Sequence, residues 1–305
     1  MSSFHPELRR GRWLPRGFGS PFKTWLERHA PTAGMKPPAG YSLVERRVGM
    51  DGPRVLVFSP PRGPVARGAM LWIHGGGYVM GSPERDFACF RQYAEQLDLV
   101  VVAVDYRLAP EHPYPAPLDD CFAAFEFVHR EATSLGIDPT RVVIAGASAG
   151  GGLAAALTLL VHDRGRPAPR MQLLIYPMLD DRSITAQHER DFHRLWDRKS
   201  NFYGWSSYLG AAPGGADVPA YAAPARRRDL AGLPATWIGV GELDLFYDED
   251  VLYARRLQQA GVPTQLELVE GAFHGFDIVL PRKSVSTRFL DSQLRALRQA
   301  LTDTA

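Results

Sequence analysis

Cysteine and net charge are both scarce in this sequence. Its 305 residues contain only two cysteines, Cys89 and Cys121. That is too few for the disulfide framework of a small secreted scaffold, and their apolar helical surroundings predict buried free thiols. Lys and Arg total 35 against 33 Asp and Glu, for a formal net charge of +2. A nucleic-acid-binding domain concentrates far more positive charge, and short clusters such as the arginines at 226–228 are typical of solvated surface. We therefore expect no nucleic-acid partner.

Long apolar runs are also missing. No stretch approaches the roughly 18 apolar residues of a transmembrane helix, and the first residues lack the apolar segment of a secretory signal. We find neither an internal repeat nor a low-complexity tract. The sequence is nevertheless 45% hydrophobic, which is enough for one large domain with a full core. These features predict a cytoplasmic protein without a membrane span.

What the sequence does contain is a regular alternation of short apolar runs and helical patterns. The runs predict an early hairpin from 42–48 and 54–58, followed by strands at 69–73, 99–104, 141–145, 172–176, 236–240 and 265–269. Helices are predicted at 83–97, 117–135, 149–162, 248–260 and 284–301. Runs that are apolar on both faces are typical of buried parallel strands. The pattern predicts an α/β fold with a mostly parallel, eight-stranded sheet flanked by helices.

Two segments depart from this alternation. The first forty or so residues are rich in Pro, Gly and aromatics, and residues 181–223 form a long insertion between two predicted strands. A connection of that length is usually a lid or a binding element. Its aromatic side chains either join the insertion to the core or line a ligand pocket; they are Phe192, Trp196, Phe202, Trp205 and Tyr208.

The strongest chemical motif is Gly146-Ala147-Ser148-Ala149-Gly150. It follows a predicted strand and opens a predicted helix, which is the arrangement of a nucleophile elbow. A serine on this strained turn is lifted out of the sheet at the positive end of a helix, and only small residues fit two positions to either side. A dinucleotide-binding loop is the alternative, but the Gly-x-Gly-x-x-Gly register is absent and the motif comes late in the chain. We therefore expect Ser148 to be a nucleophile.

A second glycine-rich motif, His74-Gly75-Gly76-Gly77-Tyr78, directly follows the predicted strand at 69–73. Glycines allow the main chain to approach a substrate with its amides unshielded. A plain turn would not need three of them after a buried strand. Together with the amide of Ala149, this loop is expected to form an oxyanion hole.

A serine nucleophile of this type needs an acid and then a histidine further along the chain. His274 and Asp244 each lie just past a predicted strand, where the catalytic groups of parallel sheets gather. The histidine would take the serine proton and the carboxylate would hold its tautomer. Glu242 shares the loop with Asp244 and is the alternative acid. His74 precedes the serine and is expected to be structural.

Other acidic residues are expected to have simpler roles. Asp248 and Asp250 lie at the start of the predicted helix at 248–260. We expect them to be helix N-terminal charges.

These elements together resemble the bacterial hormone-sensitive lipase-like esterases, α/β-hydrolases with an HGGG box. The resemblance runs from about residue 71 to residue 276 and includes the long motif Asp-Tyr-Arg-Leu-Ala-Pro-Glu-His-Pro-Tyr-Pro-Ala at 105–116. It implies a serine esterase for carboxylic esters of short to medium acyl chains, without metal or organic cofactor. It implies a triad of Ser148, Asp244 and His274, with the amides of Gly76, Gly77 and Ala149 as oxyanion donors.

The resemblance also implies a domain organisation. Residues 1–42 and 181–223 would form a small helical cap over a core of residues 43–180 and 224–305, and a homodimer is common among similar proteins. One departure is Ala147, where the family often has Asp or Thr, so the hydrogen bonds that those side chains make beside the elbow are lost. Two alternative functions are open on the same fold. One is an amidase, and the other is a non-catalytic receptor like the plant gibberellin receptors.

Overall fold

The protein is described by a computed structural model that covers residues 3–32, 34–61, 63 and 65–302. Within these residues the chain forms one eight-stranded sheet in the order β1-β2-β4-β3-β5-β6-β7-β8. The strands are β1 (Ser42–Arg47), β2 (Arg54–Ser59), β3 (Arg67–Ile73), β4 (Val100–Asp105), β5 (Ile137–Ala147), β6 (Met171–Ile175), β7 (Ala235–Gly241) and β8 (Thr264–Val269).

The direction of the strands follows the sequence pattern. The β1–β2 hairpin is antiparallel and β2 pairs antiparallel with β4, whereas every pair from β4 across to β8 is parallel. The central strands are buried on both faces; all residues of β4 except its last, Asp105, are buried. An apolar core therefore lies on each side of the sheet. The predicted eight-stranded, mostly parallel sheet is confirmed.

Helices cover both faces of the sheet, and most of them lie in the connections between successive strands. They are α1 (Pro21–His29), α2 (Phe87–Leu97), α3 (Ala116–Arg130), α4 (Ala132–Leu135), α5 (Ala149–Asp163), α6 (Arg198–Leu209), α7 (Tyr247–Gln259), α8 (Phe276–Val279) and α9 (Ser284–Thr302). No helix among the described residues is long and apolar enough to cross a membrane.

Two helices differ from their predicted bounds by more than one residue. The helix expected at 83–97 begins only at Phe87, because the preceding turn directs Glu84 onto Arg54 at 2.6 Å and Asp86 onto the indole nitrogen of Trp72 at 3.0 Å. The helix expected at 117–135 is two helices, α3 and α4, which meet at Glu131 with φ −93° and ψ 9°.

The N-terminal segment (residues 3–32) and the insertion (residues 181–223) contact each other. The amide of Leu195 donates to the carbonyl of Pro15 at 2.9 Å, and the amide of Gly19 donates to Oγ of Ser200 at 3.0 Å. A salt bridge also joins Arg16 to Glu189. The two departures from the strand–helix alternation thus meet in space.

Candidate active site

The turn between β5 and α5 lifts Ser148 out of the sheet. Ser148 has φ 56° and ψ −121°, a strained backbone for a residue with a side chain. Its amide donates to the carbonyl of Ile175 at 2.9 Å, and its carbonyl accepts from Met178 at 2.9 Å. A Cβ on Gly146 would lie 2.3 Å from the carbonyl oxygen of Gly150. The turn therefore requires small residues at the positions where the sequence has them.

His274 and Asp244 reach Ser148 from the loops that follow β8 and β7. Nε2 of His274 lies 3.1 Å from Oγ of Ser148, and Nδ1 lies 2.8 Å from Oδ2 of Asp244. The other carboxylate oxygen, Oδ1 of Asp244, accepts the amide of Phe246 at 3.0 Å. All three side chains are nearly buried, at 7%, 8% and 4% exposure for Ser148, His274 and Asp244. The arrangement can pass a proton from a hydroxyl to an imidazole that a carboxylate holds in one tautomer.

The alternative acid, Glu242, points elsewhere. Its Oε2 accepts the amide of Gly271 at 3.1 Å, so it braces the loop that carries His274 and does not touch the imidazole. The three predicted residues are therefore brought together, and Glu242 is not part of the group.

The glycine loop after β3 passes beside Ser148. Gly76 has φ 115° and Gly77 has φ 60°, both in the left-handed region that favours glycine. Among the backbone hydrogen bonds of the described residues, the amides of Gly76, Gly77 and Ala149 donate to none. Unpaired amides next to a hydroxyl are suited to hold a developing negative charge.

His74 lies behind this loop. Its Nδ1 is 2.8 Å from the carbonyl oxygen of Gly75, and its ring stacks on Tyr106 with centroids 4.1 Å apart. Burial lowers the pKa of His74, which favours a neutral ring. These contacts agree with the structural role expected for it.

A cavity of 360 Å³ opens over Ser148. Besides the glycine loop and His274, its wall contains apolar side chains from several parts of the chain. They are Phe18 from the N-terminal segment, Met80 just after the glycine loop, Leu195 and Trp196 from the insertion, and Ile278 and Val279 from α8. The ring of Trp196 packs so closely on Gly77 that a Cβ there would lie 2.0 Å from it. Volume and lining suit a small, largely apolar ligand.

The sequence left two roles open for the aromatic residues of the insertion, and the structure shows both of them. Trp205 and Tyr208 are fully buried, and Tyr208 stacks on Tyr78 at 4.0 Å, so they join α6 to the core. Trp196 lines the cavity. Phe202 is 47% exposed and serves neither role.

Sequence reasoning missed Tyr176 and Asp277. The ring of Tyr176 meets the imidazole of His274 edge-on at 4.8 Å, and its hydroxyl donates to Oδ1 of Asp277 at 3.0 Å. Burial raises the pKa of Asp277 from 3.8 to about 6. The sequence places Tyr176 at the end of a predicted strand and Asp277 three residues after His274, and both positions are near the site. Neither position by itself predicts that the hydroxyl of Tyr176 bonds Asp277 or that its ring contacts His274.

Asp248 and Asp250 both lie in the first turn of α7, as expected, but Asp250 does not have the surroundings of an ordinary helix N-terminal charge. Asp248 is exposed, but Asp250 is fully buried, and neither of its carboxylate oxygens has a hydrogen-bond partner among the described residues. Burial and the neighbouring carboxylates of Glu249 and Asp244 raise its pKa well above the ordinary value. The helix α7 places Asp250 one turn after Phe246, against the core, whereas Asp248 faces solvent.

Groups of three or more His, Cys, Asp or Glu side chains that could hold a metal ion are not found in the described part of the chain. Of the two cysteines, Cys121 is buried as expected, while Cys89 is partly exposed; both are free thiols.

The known proteins that this chain resembles in sequence and in structure are α/β-hydrolases and esterases. A family model described as the alpha/beta hydrolase fold matches residues 70–278. Esterase LipI of Mycobacterium tuberculosis is 36% identical over 234 residues, which cover 74% of this chain and 73% of that protein. Carboxylesterase NlhH of the same organism is 36% identical over 274 residues, or 85% of this chain and 83% of that protein. The solved structure of a bacterial heroin esterase matches with a TM-score of 0.91 at 37% identity, over 99% of both chains.

The sequence, the sheet and these relatives agree. The chain belongs to the α/β-hydrolase family, among its hormone-sensitive lipase-like esterases.

Proposed function

We propose that this chain hydrolyses carboxylic esters through an acyl-enzyme formed on Ser148. The observation that carries the proposal is the continuous relay from Oγ of Ser148 through His274 to Asp244, with links of 3.1 and 2.8 Å. A non-catalytic receptor of the same fold would not need this relay. Relatives named as esterase, carboxylesterase and ethyl acetate hydrolase support the ester as substrate.

The reaction follows from the position of each group. His274 takes the proton from Ser148 as Oγ attacks the ester carbonyl, and the amides of Gly76, Gly77 and Ala149 bind the oxyanion. The imidazolium then gives its proton to the leaving alcohol. Water, deprotonated by the same histidine, releases the acid and restores the serine. Asp244 holds Nδ1 protonated and stabilises the imidazolium throughout, and the scheme needs no metal or organic cofactor.

We further propose that residues 1–42 and 181–223 act together as a cap over a catalytic core of residues 43–180 and 224–305. The contacts of Leu195 with Pro15 and of Gly19 with Ser200 support this division, as does the presence of Phe18 and Trp196 in one cavity wall. A cavity of 360 Å³ favours esters of short to medium acyl chains. The cytoplasmic location and the homodimer stay predictions, which cell fractionation and light scattering test.

A hydrolysis profile tests the function. Initial rates are measured on p-nitrophenyl esters from acetate to dodecanoate, with p-nitroacetanilide as the amide counterpart. We expect turnover to fall with the longer esters, hydrolysis of the anilide to be much slower, and Ser148→Ala to lower kcat by about 10⁴ or more. Near-normal ester hydrolysis by the variant would reject the mechanism. Faster turnover of the anilide than of the esters would assign an amidase instead.

A further inference from the structure

Helix α1 is amphipathic, but its apolar side faces solvent and its polar side faces the protein. A surface helix normally turns its apolar stripe toward the core. In α1 the apolar residues Phe22, Trp25 and Leu26, spaced at three and four residues, are 73%, 55% and 54% exposed, whereas Thr24 is 4% exposed. The apolar stripe of this helix therefore faces away from the protein.

Polar contacts on the inner side hold α1 in this orientation. The guanidinium of Arg28 donates to the carbonyls of Val79 and Ala109, both at 2.6 Å. On the same side, Glu27 pairs with Arg85 at 2.9 Å. Rotating the apolar stripe inward would break these bonds and leave the partly buried guanidinium of Arg28 without its carbonyl acceptors. The outward stripe is a built feature of the fold.

The same segment concentrates positive charge. Residues 3–32 contain six Arg or Lys and two Glu, whereas the whole chain carries only +2, so the rest of the chain is net negative. Within the described residues, the ion pairs of this segment's cations involve only Arg16 and Arg28. Four other cations are left without an acidic partner there: Arg9, Arg10, Arg12 and Lys23.

The stripe lies close to the mouth of the active-site cavity. Glu27, on the inner side of α1, lines that cavity together with Phe18 from the same segment. Across the mouth, Ile278 and Val279 are 57% and 39% exposed. Whatever covers the stripe thus also approaches the opening through which substrate enters.

We propose that the outward stripe of α1 (Phe22, Trp25 and Leu26), with the cations of residues 3–32, docks on an anionic lipid surface. Exposed aromatic and aliphatic side chains next to Lys and Arg are the composition of a helix that lies in a membrane interface. Anionic headgroups complement the charge of the segment. A second copy of the chain related by a two-fold axis would instead place the same positive segment against itself. In the docked state the cavity mouth lies near the lipid, where lipophilic esters concentrate.

The experiment measures binding of the full chain to vesicles by flotation. Phosphatidylcholine vesicles are compared with vesicles that also contain phosphatidylglycerol, at low and high salt. The test variant is Phe22→Ser/Trp25→Ser. Its matched control is Met50→Ser/Leu252→Ser, which removes two apolar residues that are 92% and 55% exposed elsewhere on the surface. Circular dichroism melts verify that both variants are folded.

We expect salt-sensitive binding to the anionic vesicles only. The test variant should bind at least about tenfold more weakly than wild type, because two apolar side chains no longer enter the interface. The control variant should bind as tightly as wild type. Absence of binding to anionic vesicles at low salt would overturn the proposal. A homodimer that Phe22→Ser/Trp25→Ser disperses, without vesicle binding, would also overturn it and assign the stripe to a second copy. The test reads lipid binding and not hydrolysis, so it stands apart from the proposed reaction.

Discussion

Replacing Asp244 with Asn tests how the relay works. Oδ1 of Asp244 accepts the amide of Phe246 at 3.0 Å, and Oδ2 lies 2.8 Å from Nδ1 of His274. In the variant, the carbonyl oxygen of Asn must face the amide of Phe246, which leaves the NH₂ group facing Nδ1. The imidazole then carries its proton on Nε2 and cannot accept one from Ser148. We expect kcat to fall by about 10⁴, or about 5 kcal/mol in barrier, with KM nearly unchanged.

The assay is the initial rate of p-nitrophenyl acetate hydrolysis by the purified variant, with its melting curve as the folding check. Glu242→Gln is the matched control, because Glu242 lies in the same loop but bonds the amide of Gly271 at 3.1 Å. The control should stay within a few-fold of wild type. A kcat for the Asn variant within tenfold of wild type, or inactivity confined to the Gln variant, would refute the reasoning about the tautomer.

Three further predictions concern the cavity wall and pH. Gly77→Ala should lower kcat by about 10² or more, since its Cβ would meet Trp196 at 2.0 Å, whereas Gly49→Ala, with a similar positive φ and open space around it, should not. Trp196→Ala should raise kcat/KM of hexanoate relative to acetate by about tenfold, because its ring forms part of the cavity wall; an unchanged ratio would show that this part of the wall does not limit the acyl chain. Because burial raises the pKa of Asp277 from 3.8 to about 6, its stabilising contribution is full below pH 3.8 and is lost as pH rises to about 6. The free energy of unfolding of Asp277→Asn, measured in urea, should not show that loss between pH 3.8 and about 6. If the free energies of unfolding of wild type and variant changed in parallel with pH, the prediction would be wrong.

The sheet was predictable because its strands are local patterns. The runs at 69–73 and 99–104 contain almost only apolar residues and become β3 and β4, and the glycine at 261 ends α7 with φ 79° as its position suggests. The late start of α2 was not predictable, because Arg54 and Trp72, which engage the preceding turn, come from distant strands.

The candidate site was predictable in its main residues because parallel strands deliver their following loops to one edge of the sheet. Ser148, Asp244 and His274 meet there although 96 and 30 residues separate them along the chain. The residues that shape the cavity were not predictable. Trp196 and Trp205 have the same side chain in the same insertion, yet one lines the cavity and the other fills the core. Their roles depend on how the insertion folds over the core, and the spacing of its aromatic residues does not determine that.

The burial of Asp250 is a feature that its local sequence does not show. A carboxylate in the first turn of a helix is favourable because of the helix dipole, but this position does not tell whether the side chain faces solvent. Only the packing of α7 against β7 and β8 decides which side of its first turn faces inward. The sequence shows that the first turn of α7 is acidic, but not which of its side chains faces the core.

Mass spectrometry of the protein after treatment with a fluorophosphonate tests the central claim most directly. If an activated hydroxyl is held at the elbow, one phosphonyl group should add and peptide mapping should find it on Ser148, with labelling abolished in His274→Ala. An unlabelled wild-type protein that still hydrolyses esters, or an adduct on a different residue, would contradict the account.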